Sequence, residues 1–447
     1  MLVIIHGWSD SFSSFRSLAK RLASPLPDGI GADVQQIYLG DYISLDDQVT
    51  FADLVEAMDR AWTDAALPRA PRSVDAIVHS TGGLVIRDWM SRFAIDSVPI
   101  HRLLMLAPAN FGSPLAHTGR SVIGRAVKGW KGTRLFETGT QILKGLELAS
   151  SYSWLLAERD LFVDNSVFAP GRVLCTVLVG NTGYSGISAV ANKPGTDGTV
   201  RVSTANLKAA RMLIDFSHEP GKAPLIDYQE VDDSGLAFTV VDGEDHGSIT
   251  AKGRGTNESI TWSLICGALM LPDSGFIAWQ KRLASHCLQV SEVAKKRSGE
   301  HFKGYQNTVV RVVDNHGAAV NDYIIEFYIN DDKTSRERRL TQVIQEEVIE
   351  GVHVFSGEKN YRSLLINCDR LYELLPREED RLRMSITAYP EVSSGKVGYR
   401  TYTDDDIGAL SLSLKQVRDM FRPHRTLLIT LCLKRYQQED VFRFKAV

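Results

Sequence analysis

The stretch that decides the fold is Ala76-Ile-Val-His-Ser-Thr-Gly-Gly-Leu-Val-Ile-Arg87. An apolar run typical of a buried strand ends at Ser80, and two glycines lead into a helical pattern. At such a sharp turn the serine hydroxyl projects beyond the end of the sheet, exposed as a nucleophile. Small residues are needed two positions on either side. Gly82 provides one, but Val78 stands where the other is expected. The alternative role for Ser80 is that of a plain helix N-cap.

The segments around this stretch alternate between short apolar strands and longer helical patterns, which is typical of a parallel sheet built from βαβ units. The predicted strands are Leu2–Ile5, Asp33–Tyr38, Val74–His79, Arg102–Leu106 and Val173–Val179, and the predicted helices include Ser14–Leu22, Thr50–Ala65 and Gly83–Phe93. Continuous apolar strands of this kind are buried on both faces. The sequence therefore predicts an α/β fold for roughly its first 272 residues.

The first predicted strand ends in His6-Gly-Trp8. Backbone N–H groups at that edge of the sheet can point towards a developing oxyanion. We expect the amides of Trp8 and Thr81 to be the two donors. His6 lies before the turn, so a role in shaping the loop is favoured over proton transfer.

Taken in order, these segments resemble the lipase branch of the α/β-hydrolase fold. The His-Gly loop, the His79-Ser-Thr-Gly-Gly turn and the segment Leu104-Met-Leu-Ala-Pro-Ala-Asn-Phe-Gly-Ser-Pro-Leu-Ala116 carry the likeness, which spans about residues 1–270. The resemblance implies a mostly parallel sheet flanked by helices, a lid or cap insertion, and a catalytic triad in the chain order serine, acid, histidine.

The candidate acid is Asp197. Its segment Asp-Gly-Thr-Val-Arg-Val-Ser-Thr-Ala205 resembles the catalytic-acid loop of bacterial lipases and follows a predicted strand. An ordinary Asp-Gly turn is the alternative. The rival carboxylates, Asp160, Asp164 and Asp215, have no comparable flanking sequence.

Two histidines follow the acid within the predicted hydrolase domain, His218 and His246. His246 is favoured because it comes after the apolar run Leu236–Asp242 and stands in the polar loop Gly-Glu-Asp-His-Gly-Ser. His79, beside the nucleophile, is interpreted as a packing or loop residue rather than a second base.

These residues imply a serine carboxylic-ester hydrolase, lipase-like or phospholipase-like, that forms an acyl-enzyme and needs no metal or organic cofactor. The expected substrate is a lipid or a small ester. Two alternatives stay open at this point: a non-catalytic binding protein with the same fold, and an acyltransferase or thioesterase with the same triad.

Residues 113–172 form a long insertion with regularly placed glycines among apolar residues, and it is interpreted either as a lipase lid or as a helical cap. It carries five basic residues that could meet anionic head groups, although a solvated helix face is the safer interpretation. These are Arg120, Arg125, Lys128, Lys131 and Arg134.

Beyond the hydrolase domain we predict a helical connector, residues 273–299, and a β-sandwich-like domain, residues 300–447. Its predicted strands are Thr308–Val313, Tyr323–Ile329, Val352–Phe355, Ser363–Asn367, Leu382–Ala388, Val397–Tyr402, Leu410–Leu414, Leu427–Leu433 and Val441–Phe444. Helical patterns interrupt them near Thr341–Glu350 and Lys415–Phe421. This module or the insertion could provide peripheral membrane contact.

Composition excludes several other classes. The 447 residues predict two or three domains at roughly 150 residues each. Lys and Arg number 51 against 54 Asp and Glu, a net charge of −3, so no nucleic-acid partner is expected. The longest apolar stretch, Trp262–Leu271, is too short to span a membrane. With no visible signal peptide and five scattered cysteines, we expect a cytoplasmic protein, or one exported by a non-classical route.

Overall fold

A computed structural model describes most of the chain. The described residues are 1–6, 15–26, 29–44, 46–116, 139–185, 189, 192–217, 225–250, 258–298, 302–330, 332–389, 397–399 and 410–437. They form two compact units. The first unit consists of Met1–Lys208 with Val231–Lys303, and the second of Ala209–Glu230 with Gly304–Val447.

The first unit is built on a six-stranded, wholly parallel sheet in the order β2-β1-β3-β4-β5-β8. Its strands are β1 (Leu2–His6), β2 (Val34–Tyr38), β3 (Val74–His79), β4 (Ile100–Leu106), β5 (Leu174–Gly180) and β8 (Leu236–Val241). The central strands are buried along almost their whole length, as their unbroken apolar sequences predict.

Helices cover both faces of this sheet. They are α1 (Arg16–Ala23), α2 (Phe51–Asp64), α3 (Gly82–Met90), α4 (Thr140–Leu146), α5 (Ser151–Asp160), α6 (Val202–Ala205), α7 (Glu258–Met270) and α8 (Phe276–Ser298). Side chains from α1, α7 and α8 share one core with alternate residues of the sheet. Helices α2 and α3 pack against each other through Trp62 and Trp89, whose rings are 4.7 Å apart.

The segment predicted as a connector is therefore one of the flanking helices. Trp279 of α8 donates from Nε1 to the Thr176 hydroxyl at 3.1 Å, and Gln280 donates to the Leu236 carbonyl at 2.8 Å. Phe276, Trp279 and Leu283 lie in the core of the first unit. The sequence predicts a connector at residues 273–299, but the helix buries an apolar face in the first unit.

The second unit contains two larger sheets. One is six-stranded in the order β11-β12-β9-β16-β6-β7, and the other is three-stranded in the order β10-β13-β15. The strands are β6 (Ala210–Asp215), β7 (Leu225–Glu230), β9 (Tyr305–Asp314), β10 (Asp322–Ile329), β11 (Ile349–Val354), β12 (Tyr361–Asn367), β13 (Arg381–Tyr389), β15 (Leu410–Ser413) and β16 (Thr426–Leu433). A short pair, β14 (Val397–Tyr399) and β17 (Arg435–Gln437), is antiparallel.

Apolar residues from both larger sheets share one core, for example Val312, Ile366, Met384 and Leu431. Helices α9 (Ser335–Val343), α10 (Cys368–Leu374) and α11 (Leu414–Met420) accompany the sheets, and α9 continues into a π-helical turn, Ile344–Val348. The predicted strand Val441–Phe444 lies outside the described residues. The other predicted strands of this module are present, and their packing fits the sandwich-like arrangement expected for it.

The compact units differ from the predicted domain bounds at residues 209–230. The hydrolase domain predicted for residues 1–272 includes this segment, but β6 and β7 belong to the second unit. Strand β6 pairs in parallel with β16, more than 200 residues further along the chain. The large sheet is mixed, because β16 is parallel to both β6 and β9, whereas the other neighbouring strands of the sheet pair antiparallel.

Candidate active site

Ser80 lies at a sharp turn between β3 and α3. Its φ is +54°, in the left-handed region that a serine rarely adopts. Three backbone hydrogen bonds hold the turn: Ser80 donates to the Leu106 carbonyl at 3.2 Å, and its own carbonyl accepts from Gly83 and Ala109, each at 3.1 Å. This is the strained strand-to-helix turn that the sequence predicts.

Of the two glycines after the turn, Gly83 is the one packed so closely that a side chain would not fit. A Cβ there would lie 2.7 Å from the Pro108 Cβ, whereas a Cβ at Gly82 would lie 3.4 Å from the Val78 Cβ. The second distance is an ordinary contact. Val78 therefore fits at the strand position where glycine is usual, because Gly82 opposite it has no side chain.

His246 joins the serine to a carboxylate. Its Nε2 lies 3.1 Å from the Ser80 Oγ, and its Nδ1 lies 3.0 Å from Oδ2 of Asp197. Both side chains are buried, with His246 4% exposed and Asp197 fully enclosed. The structure thus brings together the three side chains that the sequence selects, in the order serine, histidine, acid.

The remaining oxygen of Asp197 is also engaged. Oδ1 accepts backbone hydrogen bonds from Thr199 at 3.0 Å and Val200 at 2.8 Å. Two amide donors stabilise the negative charge of the buried carboxylate and fix its plane. Oδ2 is then left to face the imidazole.

Tyr184 packs over this acid loop. A Cβ at Gly198, whose φ is +100°, would lie 2.7 Å from the Tyr184 ring. The Tyr184 hydroxyl is 2.6 Å from the Thr199 hydroxyl. Burial, together with the nearby charge of Asp197, raises the pKa of Tyr184 well above its usual value, so the hydroxyl stays protonated. The sequence offered no signal for this tyrosine.

The loop that carries His246 is held by its own side chains. Oδ1 of Asp245 accepts from the amides of Gly247 and Ser248, both at 2.8 Å. Glu244 is fully buried and accepts a hydrogen bond from Thr261 at 2.7 Å. These contacts fix the loop without using the imidazole, which remains available to Ser80 and Asp197.

Of the two predicted oxyanion donors, only Thr81 can be described. It directly follows the nucleophile candidate, and no carbonyl in the described part of the chain accepts from its N–H. Trp8 lies outside the described residues. His6 is buried against Tyr38, with ring centroids 4.0 Å apart, and contacts the Gln36 side chain at 3.2 Å. These contacts hold the His6 ring against β2, and the loop that it was expected to shape lies outside the described residues.

The rival residues lie elsewhere. Asp160 forms a buried ion pair with Arg87, Asp164 is exposed, and Asp215 ends β6 in the second unit. His218 is outside the described residues.

The long insertion can be described at both of its ends. Ser113 donates from Oγ to the Thr199 carbonyl at 2.6 Å, so the start of the insertion is tied to the acid loop. Further on, Tyr152 of α5 donates to Asp88 at 2.8 Å and stacks on Phe51 at 4.2 Å. Residues 117–138, with all five predicted basic residues, lie outside the described part.

The residues that the structure describes were also compared with the requirements of a metal site and of a membrane-spanning helix. Within those ranges, no three His, Cys, Asp or Glu side chains are placed to hold a metal ion. No helix among them is long and apolar enough to cross a membrane.

The sheet order, the helices on both faces and the turn at Ser80 define the α/β-hydrolase fold, and the predicted fold class is confirmed. Comparison with solved structures gives a likeness over the whole chain. Phospholipase PlaB from Legionella pneumophila is 24% identical with a TM-score of 0.80, and the match covers 100% of this chain and 95% of that one. The same phospholipase in complex with thio-NAD also gives 24% identity and 0.80, covering 100% and 96%.

Sequence comparison alone gives no relative. No model of a known protein family matches the chain, and no curated protein matches it significantly.

Proposed function

We propose that this protein is a serine hydrolase that cleaves carboxylic esters of lipids, with phospholipids as the favoured substrate class. One observation carries the proposal: the continuous hydrogen-bonded series from the Ser80 hydroxyl through His246 to Asp197. A binding protein that had lost catalysis would have no need to keep all three side chains in this order.

In the proposed reaction, Ser80 Oγ attacks the ester carbonyl while Nε2 of His246 takes the hydroxyl proton. Asp197 holds the imidazole in the tautomer that has its proton on Nδ1 and stabilises the imidazolium that forms. The Thr81 amide, with Trp8 as the predicted second donor, binds the oxyanion. Each such donor contributes about 3–4 kcal/mol to transition-state stability.

Collapse of the tetrahedral intermediate breaks the ester bond, and His246 returns its proton to the leaving alcohol. The acyl group is then on Ser80. Water attacks this acyl-enzyme while His246 removes its proton, and the carboxylic acid leaves as the serine hydroxyl is restored. Every proton moves between the Ser80 hydroxyl, the substrate, water and the same imidazole, so no additional group enters the cycle.

The lipid part of the proposal is supported by the structural comparison. The likeness to a phospholipase extends over both units of this chain, not only over the hydrolase sheet. We propose that the insertion at residues 113–172 or the second unit brings the enzyme to a lipid surface.

The test is a substrate panel on wild-type protein and Ser80→Ala. Para-nitrophenyl esters of increasing chain length and vesicles of phosphatidylcholine or phosphatidylglycerol are supplied, and released nitrophenol or fatty acid is measured. We expect wild-type activity on phospholipid and a loss of at least 1,000-fold in Ser80→Ala. Ser97→Ala, which removes an exposed hydroxyl, is the matched control and keeps full activity. Unchanged hydrolysis by Ser80→Ala would refute the proposal.

A further inference from the structure

His79 directly precedes Ser80 and contacts the histidine of the candidate triad. Its side chain is 6% exposed, and its Nε2 lies 2.9 Å from the backbone carbonyl oxygen of His246. A carbonyl oxygen can only accept a hydrogen bond, so Nε2 of His79 carries the proton and donates. This contact therefore places a proton on Nε2 of His79.

Aromatic packing holds the same ring in place. The ring centroids of His79 and His246 are 4.6 Å apart, and the two ring planes meet at 45°. The ring centroids of Phe15 and His79 are 5.5 Å apart in an edge-on arrangement. With Phe15 and His246 packed against it, the His79 imidazole has a defined orientation, and the hydrogen bond to His246 has a defined direction.

The backbone of His246 is consequently held on both sides. Its N–H donates to the Asp197 carbonyl at 2.8 Å, and its carbonyl accepts from His79. The first contact ties His246 to the acid loop, and the second ties it to the residue that is covalently joined to Ser80. The distance between Ser80 Oγ and His246 Nε2 is thus set partly through His79.

We propose that His79 is a positioning residue, which fixes His246 relative to Ser80 by donating from Nε2 to the His246 carbonyl. The inference rests on the proposed hydrolase function. Small errors in the placement of reacting groups reduce turnover strongly, by about 100-fold for a shift of about 1 Å. Substrate binding does not use this hydrogen bond, so its loss lowers kcat and leaves KM nearly unchanged.

Two substitutions separate the hydrogen bond from the packing. His79→Phe keeps a ring of similar shape and removes the donor, whereas His79→Gln restores an N–H at the position of Nε2 and removes the ring. On para-nitrophenyl butyrate we expect kcat of His79→Phe to fall at least tenfold with KM within twofold of wild type. We expect His79→Gln to regain at least threefold over His79→Phe.

The matched control is His286→Phe, which removes another imidazole hydrogen bond in the same unit, the one between Nδ1 and the Thr239 hydroxyl at 2.9 Å. Its kcat stays within twofold of wild type. If thermal unfolding shows that His79→Phe does not fold, His79→Asn takes its place. The Asn amide is too short to reach the carbonyl, so Gln exceeding Asn by at least threefold supports the proposal.

The outcomes distinguish this inference from the function on which it rests. If wild type and Ser80→Ala are equally inactive, the hydrolase proposal fails. The positioning role of His79 then fails with it, because there is no reaction for His79 to assist. If wild type is active and His79→Phe equals it, or if His79→Gln does not exceed the variant without the donor, the hydrolase proposal stands and the role of His79 is overturned.

Discussion

Ser80 is held in a backbone conformation that is costly for a residue with a side chain. A non-glycine residue at φ of +54° is destabilised by about 1–3 kcal/mol, and surrounding structure must offset this. The hydrogen bonds of the Ser80 peptide groups with Leu106, Gly83 and Ala109 do so. Backbone strain of this kind often accompanies function, and here it aims the hydroxyl at His246.

The role of Asp197 can be tested by an isosteric change. Asp197→Asn preserves volume, but its amide nitrogen can donate to Nδ1 and leave the imidazole in the wrong tautomer. We expect kcat to fall by about 10³–10⁴-fold with little change in KM. Steady-state kinetics on a soluble ester measures both constants.

Asp164→Asn is the matched control, because Asp164 is exposed and was a rival for the acid. It should behave as wild type. Activity that survives Asp197→Asn and is lost in Asp164→Asn would contradict the assignment of the acid.

The three candidate catalytic residues could be selected from the sequence because each stands in a short segment with its own pattern. Tyr184 could not, since its contact with the Asp197 loop arises where two loops meet. The hydrogen bond from His79 to His246 joins residues 167 positions apart and also has no local signature. Local patterns indicate the reacting groups, whereas the contacts that orient them depend on the tertiary structure.

At the scale of elements, the junction of β3 and α3 leads to a prediction about two adjacent glycines. Gly83→Ala would place a Cβ 2.7 Å from the Pro108 Cβ, so we expect destabilisation of about 1–3 kcal/mol and reduced activity. Gly82→Ala makes an ordinary contact at 3.4 Å and should be much milder. Thermal unfolding of both variants checks the order, and equal stability of the two would count against the packing described.

Helices α3 and α5 are joined by a buried ion pair. Arg87 donates to Asp160 from Nε at 2.7 Å and from Nη2 at 2.9 Å, and both side chains are almost fully enclosed. Removing one partner leaves an uncompensated buried charge, so Asp160→Ala should destabilise the protein by about 3–5 kcal/mol.

The control for this prediction is an exposed pair within α2. Glu56 and Arg60 pair on its surface, where Glu56→Ala should change the free energy of unfolding by about 0.5 kcal/mol or less. Denaturant unfolding compares the two variants. Similar small effects for both would show that the buried pair contributes little.

Helix α8 packs differently from what the sequence predicts. The sequence predicts a helix here, but as part of a connector at residues 273–299. Phe276, Trp279 and Leu283 in fact pack into the core of the first unit. The apolar stripe predicts that the helix buries a face, but only the tertiary structure shows which sheet covers it.

The two units differ from the predicted domains mainly at residues 209–230, which belong to the second unit and not to the hydrolase domain. Strand β6 has three apolar residues, Ala210, Met212 and Ile214, in the core of the second unit, and β16 is its parallel neighbour. The alternation of buried and half-buried residues in β6 is typical of a strand, but nothing in the sequence near β6 identifies β16 as its partner. The chain enters the second unit, returns to complete the first, and then finishes the second.

Because the two units alternate along the chain, we expect that the first unit cannot be produced as a stable protein by truncating the chain after it. A chain that ends after residue 303 would retain β6 without β16 and expose its apolar face. We expect such a chain to aggregate, as measured by its soluble fraction and by size-exclusion chromatography. A monomeric truncated chain with full stability would contradict the importance of the β6–β16 pairing.

We propose that Ser80 is a nucleophile activated by His246 and Asp197. The most direct measurement is covalent labelling with a fluorophosphonate, followed by mass spectrometry of the intact protein and of its peptides. We predict that wild-type protein gains one phosphonyl group on the peptide that contains Ser80, and that Ser80→Ala gains none. Folded wild-type protein that fails to label, or a label that persists in Ser80→Ala, would contradict the claim.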